Sequence, residues 1–238
     1  DVASAILGQG ATPETLAAFR IELGLNRPAY VRYFEWLSNA LQGDLGTALT
    51  NKREVLATIT PRLINTLFLA GYAAVIAVPI AIFLGIVAAI NEGKWIDRAA
   101  NIVSLGAISV PEFFIAYILI FVFATNLGWF PSLSTVYSDM GFWQKIHVVA
   151  LPSITLTMLV TAHMLRMTRA SVLAIMSQPY IEMAFLKGLP RNQVILHHAL
   201  PNAAAPIISV IALNLAYLIV GVVVIEVVFV YPGVGQYM

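Results

Sequence analysis

The sequence predicts an all-α, polytopic membrane protein. Three observations lead there. Of the 238 residues, 60% are hydrophobic and only 11% charged, against about 25% charge in soluble domains. Mean hydropathy is +0.85. Four apolar runs are long enough to cross a bilayer as helices, and none alternates with the period of a barrel strand. The net charge of +1 gives no case for a nucleic-acid partner. With no cysteine, disulfides, thiol catalysis and cysteine metal sites are excluded.

Residues 1–62 form the one soluble-looking region, with six bases balancing six acids. Thr12-Pro13-Glu14 combines an N-cap residue, a proline at the first helical position and a first-turn acid, and Gly24 closes that helix. Asn26 to Pro28 opens a second helix ended by Gly43, with Phe34, Trp36, Leu37 and Leu41 as its apolar face. A turn at 43–46 precedes a short helix expected near Lys52 to Thr60. A region this small buries little core alone, so it is expected to lean on the membrane part.

The expected spans are 66–90, 99–125, 148–165 and 203–225. The first holds 25 residues without a charge, enough for about 30 Å of hydrocarbon at about 1.5 Å per residue. Pro79 predicts a kink in it, and Ser109-Val110-Pro111-Glu112 breaks the second. Loop 91–98 carries Lys94 and Arg98, and segment 166–202 carries Arg166, Arg169, Lys187 and Arg191, whereas 126–147 holds Lys145 alone. The positive-inside bias therefore puts 91–98 and 166–202 in the cytoplasm, and 1–62 with the C-terminal end outside. Asp1 and Met238 both read as cut ends. An outward N-terminal region needs a preceding span, so six spans are expected in full, about four of them here.

The segment from Tyr180 to Pro206 is a polar interruption far longer than a simple turn needs. It reads as helix, glycine elbow, helix. Gly188 takes the left-handed turn, Leu189-Pro190 stops continuation, and a second short helix, 192–200, leads to Pro201. Ala184 is small enough to admit a partner surface.

This loop resembles the EAA coupling loop of ABC-importer permeases. Glu182, Ala184, Gly188, Leu200 and Pro201 fit that pattern, while Met183 and His198 depart from it. It is more similar still to the oligopeptide/dipeptide/nickel branch, through Tyr180, Ala184, Lys187, Gly188, Leu189, His198, Ala199, Leu200, Asn202 and Ala203; Glu182 and Leu186 depart from that pattern. Further resemblance lies in Glu-Leu-Gly-Leu-Asn-Arg-Pro at 22–28, Gly-Asp-Leu-Gly at 43–46, Leu-Gly-Trp-Phe-Pro at 127–131, Leu-Arg-Met-Thr-Arg at 165–169 and Glu-Val-Val-Phe-Val-Tyr-Pro-Gly-Val-Gly at 226–235.

The resemblance implies the type I importer permease fold, with an outer-face (periplasmic) helical subdomain at 1–62 and a transmembrane domain at 63–238 bearing the coupling loop 166–202. It implies the first permease of a pair in the bacterial inner membrane, most often for di- or oligopeptides, with nickel or oligosaccharide as other cargoes of the branch. The implied partners are a second homologous permease, two ATPase subunits and a substrate-binding protein. ATP and Mg would be bound by the ATPase subunits and no cofactor by this chain. The implied coupling residues are Tyr180, Glu182, Ala184, Lys187, Gly188, Leu189 and Arg191. Glu182 reads either as a partner for a base on the ATPase or as a solvated helix-start acid. Lys187, Arg191 and Arg169 read as headgroup anchors or partner contacts.

Glu112, His163, Asn214 and Tyr217 are candidates for the translocation pathway. A carboxylate within a span is costly unless it faces water or a partner; the other reading of Glu112 is an innocuous site near the helix break. Residues like the other three more often bond across packed helices. Glu226, Pro232 and Gly233 read as support for an outer loop. His197-His198 is not a metal pair, because adjacent helical positions point apart and no third ligand is near. A secondary transporter or channel would place several ionisable groups at the midplane, and only Glu112 and His163 qualify. Gly93-Lys94 is not a phosphate loop, having Ala88 for the first glycine and Trp95 for Ser or Thr. ATP hydrolysis is therefore expected in another chain.

Overall fold

The computed structural model describes residues 12–22, 24–49, 52–137 and 139–238; the segment at Asp1, read above as a cut end, lies outside them. By its contacts the chain divides into two compact units, Asp1–Arg62 and Leu63–Met238.

In the first unit, helix α1 (Pro13–Glu22) starts from a reciprocal cap. The Thr15 N–H donates to Thr12 Oγ1 at 3.3 Å and the Thr12 N–H to Thr15 Oγ1 at 2.9 Å, which satisfies two of the helix's orphan donors. Helix α2 (Ala29–Leu41) follows Pro28 and has no buried residue. Its Tyr30, Tyr33, Phe34 and Trp36 are exposed. The short helix expected near 52–60 is not a separate element, because helix α3 runs without a break from Val55 to Ile90. No glycine interrupts it before Gly71, and Pro61 and Pro79 each remove a single backbone donor that the turns around them outweigh.

Within the second unit, α3 is followed by α4 (Trp95–Ser109), α5 (Glu112–Leu119), which continues as a π-helical segment Ile120–Asn126, and α6 (Phe142–Met176). Then come α7 (Pro179–Leu186), α8 (Arg191–Val194), a π-helical turn Ile195–Ala199, α9 (Leu200–Val228) and α10 (Val234–Tyr237). Three rods are long and apolar enough to span a membrane: Val55–Ile90, Phe142–Met176 and Arg191–Val228. The bent pair α4–α5 makes a fourth if counted as one span.

The second expected span is not a straight crossing: it breaks where the sequence placed the break, and α4 and α5 meet there at 102°. Pro111 disfavours helical geometry at the residue before it, and Val110 is extended, at φ −97° and ψ 131°. The second short helix of the loop, 192–200, is not free-standing either, but forms the base of the last rod. Pro201 would clash with the carbonyl four residues back in a regular helix. The wide turn at Ile195–Ala199 precedes it and opens the backbone at that point.

A stripe of small residues on α3, Ala73, Ala77, Ala81, Gly85 and Ala89, is buried at four-residue spacing. This lets backbones approach closely, the main source of cohesion between helices in lipid. At Gly85 a Cβ would come within 2.7 Å of Thr168 Cβ on α6 and 2.9 Å of the Leu165 carbonyl, so the two helices touch there. Large apolar side chains such as Val75, Phe83 and Ile208 remain exposed.

Candidate functional site

The 180–202 loop is built around Gly188. Its φ is +79°, and the Gly188 N–H donates to the Phe185 carbonyl at 2.9 Å while the Leu189 N–H donates to the Ala184 carbonyl at 3.3 Å. These two bonds are the Schellman termination of α7, which needs a left-handed residue at that position. Ala184, read above as an opening for a partner, is instead buried within this chain with Ile181, Val194 and Ala199, and Leu189 packs on them. Its small side chain lets α7 lie close on the base of the last rod. The outward face carries Met183 (55% exposed), Leu186 (74%) and Tyr180 (46%), beside exposed Glu182, Lys187 and Gly188.

Two ion pairs tie this region to the 91–98 loop. Arg191 reaches Glu92 at 3.3 Å, both half-exposed, a geometry worth little. Arg169 grips Asp97 as a fork, Nε to Oδ1 at 2.5 Å and Nη2 to Oδ2 at 2.8 Å. Asp97 is buried, and it also accepts the Gly93 N–H at 3.0 Å and the Asn101 side-chain amide at 2.9 Å. Arg169 is thus a buried-side partner of α4 rather than a headgroup anchor. Sequence reasoning did not find Asp97, because its partner is 72 positions away. The local signal was a first-turn acid four residues before an asparagine.

A cleft of about 890 Å³ opens between the α4–α5 bend, α6 and α9, and it collects all four pathway candidates, Glu112, His163, Asn214 and Tyr217. Tyr217 is 73% exposed. The Asn214 amide donates to the Val210 carbonyl at 2.8 Å. Glu112 stands at the start of α5, and its Oε2 is buried with no hydrogen-bond partner among the described residues.

At the opposite end of the last rod from the 180–202 loop, Glu226 is completely buried. Its Oε1 accepts the Thr66 hydroxyl at 2.6 Å, and its Oε2 accepts the Gly235 N–H at 2.7 Å and the Gln236 N–H at 3.2 Å. Thr66 Oγ1 in turn accepts the Val234 N–H at 3.0 Å. The carboxylate therefore fastens the chain reversal after α9 onto α3. A Cβ at Gly233 would overlap the Glu226 carboxylate, so only glycine fits. Pro232 joins through its carbonyl, which accepts the Asn65 amide at 3.0 Å, and the Tyr231 hydroxyl donates to the Asn65 carbonyl at 2.8 Å. Burial, with the Glu226 charge nearby, raises the Tyr231 phenol above its ordinary pKa and keeps that donor protonated. Asn65 and Thr66 were missed because a polar pair at the edge of an apolar run reads as interface.

No group of three His, Cys, Asp or Glu that could hold a metal occurs among the described residues. His197 and His198 sit on the wide turn below Pro201.

A family model described as binding-protein-dependent transport system inner membrane component matches residues 81–238. A glutathione transport system permease protein of Escherichia coli is 38% identical over 236 residues, covering 99% of this chain and 74% of that protein. A probable peptide ABC transporter permease protein of Sinorhizobium fredii is 37% identical over 238 residues, covering 99% and 75%. A glutathione transport system permease protein of Shigella flexneri is 37% identical over 236 residues, covering 99% and 74%. With three helices long and apolar enough to cross a membrane, or four if the bent pair is one span, the chain belongs to the inner-membrane permease components of binding-protein-dependent ABC importers.

Proposed function

We propose that this chain forms one half of the translocation pathway of an ATP-driven importer of di- and oligopeptides in the bacterial inner membrane. A second, homologous permease supplies the other half. Two ATPase subunits, which bind ATP and Mg, dock on the coupling loops from the cytoplasm, and a substrate-binding protein delivers cargo from outside. The relatives' names, glutathione and peptide permeases, favour a peptide-like cargo over nickel or oligosaccharide.

One observation carries this reading. The loop presents an apolar knob, Met183 and Leu186, beside an elbow at Gly188. Covering such a side chain is worth up to about 1.5–3 kcal/mol, which suits a surface that waits for a partner. The rod Arg191–Val228 is continuous from the loop to the cleft wall at Asn214 and Tyr217. Nucleotide-driven movement of the loop then biases an equilibrium between inward-open and outward-open arrangements.

The test is Gly188→Glu in the assembled transporter. A Cβ at this position meets nothing within 4 Å, so the added carboxylate projects from the loop. The protein should stay in the membrane with its fold intact, while ATP-dependent uptake is lost or separated from ATP hydrolysis. Normal uptake by this variant refutes the coupling role.

A further inference from the structure

We propose that Glu112 is a cation-binding point in the cleft, taking up the ammonium group of the cargo as it passes. This rests on the reading of the cleft as the translocation pathway. The argument begins at the break before Pro111. A proline there ends α4, turns the chain through 102° and starts α5 in mid-span, so a carboxylate at the first position of α5 is aimed into the cleft rather than along a helix flank. Gly221 on α9 leaves room for it, since even a Cβ at that position would stand 3.9 Å from Glu112 Oε1.

A carboxylate inside a membrane normally pairs with a base, a backbone donor or water. Glu112 Oε2 has no such partner among the described residues, and no lysine or arginine is among the residues lining the cleft. The walls are otherwise mainly apolar, with Leu156, Leu159, Val210 and Leu213 among them. In such surroundings an ionised carboxylate would dominate the local field, because low-dielectric walls focus it. The complementary ligand is a small cation. For a peptide-like cargo that cation is the free α-ammonium, while the apolar walls and the Asn214 and Tyr217 polar groups meet the remainder.

The chain has no cysteine, which makes a direct measurement possible. In the full transporter, with cysteine-free partner subunits, Ser109→Cys places one thiol on the cleft wall three residues before Glu112. Its modification by cationic and anionic methanethiosulfonate reagents is timed with and without Glu112→Gln. Rates are divided by those of a free thiol. The cationic reagent should be favoured by about tenfold or more, the low end of what a charged cleft imposes on association, and Glu112→Gln should abolish the preference. Dialanine should slow the cationic reaction several-fold, and N-acetyl-dialanine should not.

The outcomes separate the two claims. If the thiol reacts with neither reagent, the cleft is not a water-filled pathway and the reading beneath the proposal fails. If it reacts without charge preference, Glu112 is neutral or already paired with a base of a partner subunit, and the proposal is overturned while the pathway stands. A preference that survives Glu112→Gln, or equal protection by both peptides, also overturns it.

Discussion

Glu226→Ala should be among the most damaging single substitutions in the second unit. The side chain is fully buried and accepts three hydrogen bonds, from the Thr66 hydroxyl and the Gly235 and Gln236 amides. Alanine removes the acceptor and leaves all three donors in place. Each buried donor left unpaired costs about 1–3 kcal/mol, giving about 3–9 kcal/mol for the three. Removing the carboxylate also recovers its own desolvation cost, so the lower end of that range is the better expectation. Glu226→Gln keeps one acceptor oxygen and turns an NH₂ towards donors, so it should fall between wild type and alanine. The assay is the fraction of monodisperse protein remaining after heating in detergent. The expected order of apparent melting temperature is wild type, then Gln, then Ala. If the alanine variant melts with wild type, or the glutamine variant melts below alanine, the carboxylate is not what holds the reversal after α9.

Three further outcomes follow from the same geometry. Arg169→Ala should destabilise by about 3–5 kcal/mol, since it leaves the buried Asp97 uncompensated. Asp97→Ala should cost less, since Arg169 is only part-buried, and the double variant should cost clearly less than their sum in a thermal double-mutant cycle. Gly85→Leu should abolish stable accumulation in the membrane, read by immunoblot of the membrane fraction, because Thr168 and the Leu165 carbonyl occupy the space its side chain needs. Gly188→Ala should cost only about 1–2 kcal/mol, the penalty for a left-handed non-glycine residue, with expression near wild type and uptake retained in part.

The parts legible in the sequence were those written in local pattern. Apolar runs located the spans, Gly188 located the elbow, and the four polar residues within apolar runs all line one cleft. What escaped was non-local or conformational. Asp97 and Arg169 look like two unrelated charges until the fold brings them together. Ala184 has the size to admit a partner, but only packing decides which neighbour uses it, and here α8 and the wide turn do. Pro201 reads as a helix stop, yet one extra residue in the turn below it lets the helix continue. The proline at 111 and those at 61 and 79 have the same chemistry and opposite results, because only at 111 does the preceding residue leave helical geometry.

The last rod also has a geometric consequence. It counts 38 residues from Arg191 to Val228, about 57 Å at the helical rise, and Asn214 stands about 35 Å above its lower tip. Foot and wall are one piece, with the wide turn near the bottom and Pro206 within the helix as its irregularities. A lean of about 5° around the tip would sweep Asn214 sideways by about 3 Å, given that length. Leverage of this kind needs no chain of intermediate joints, so exposed side chains far from both ends can be exchanged so long as the shaft stays stiff.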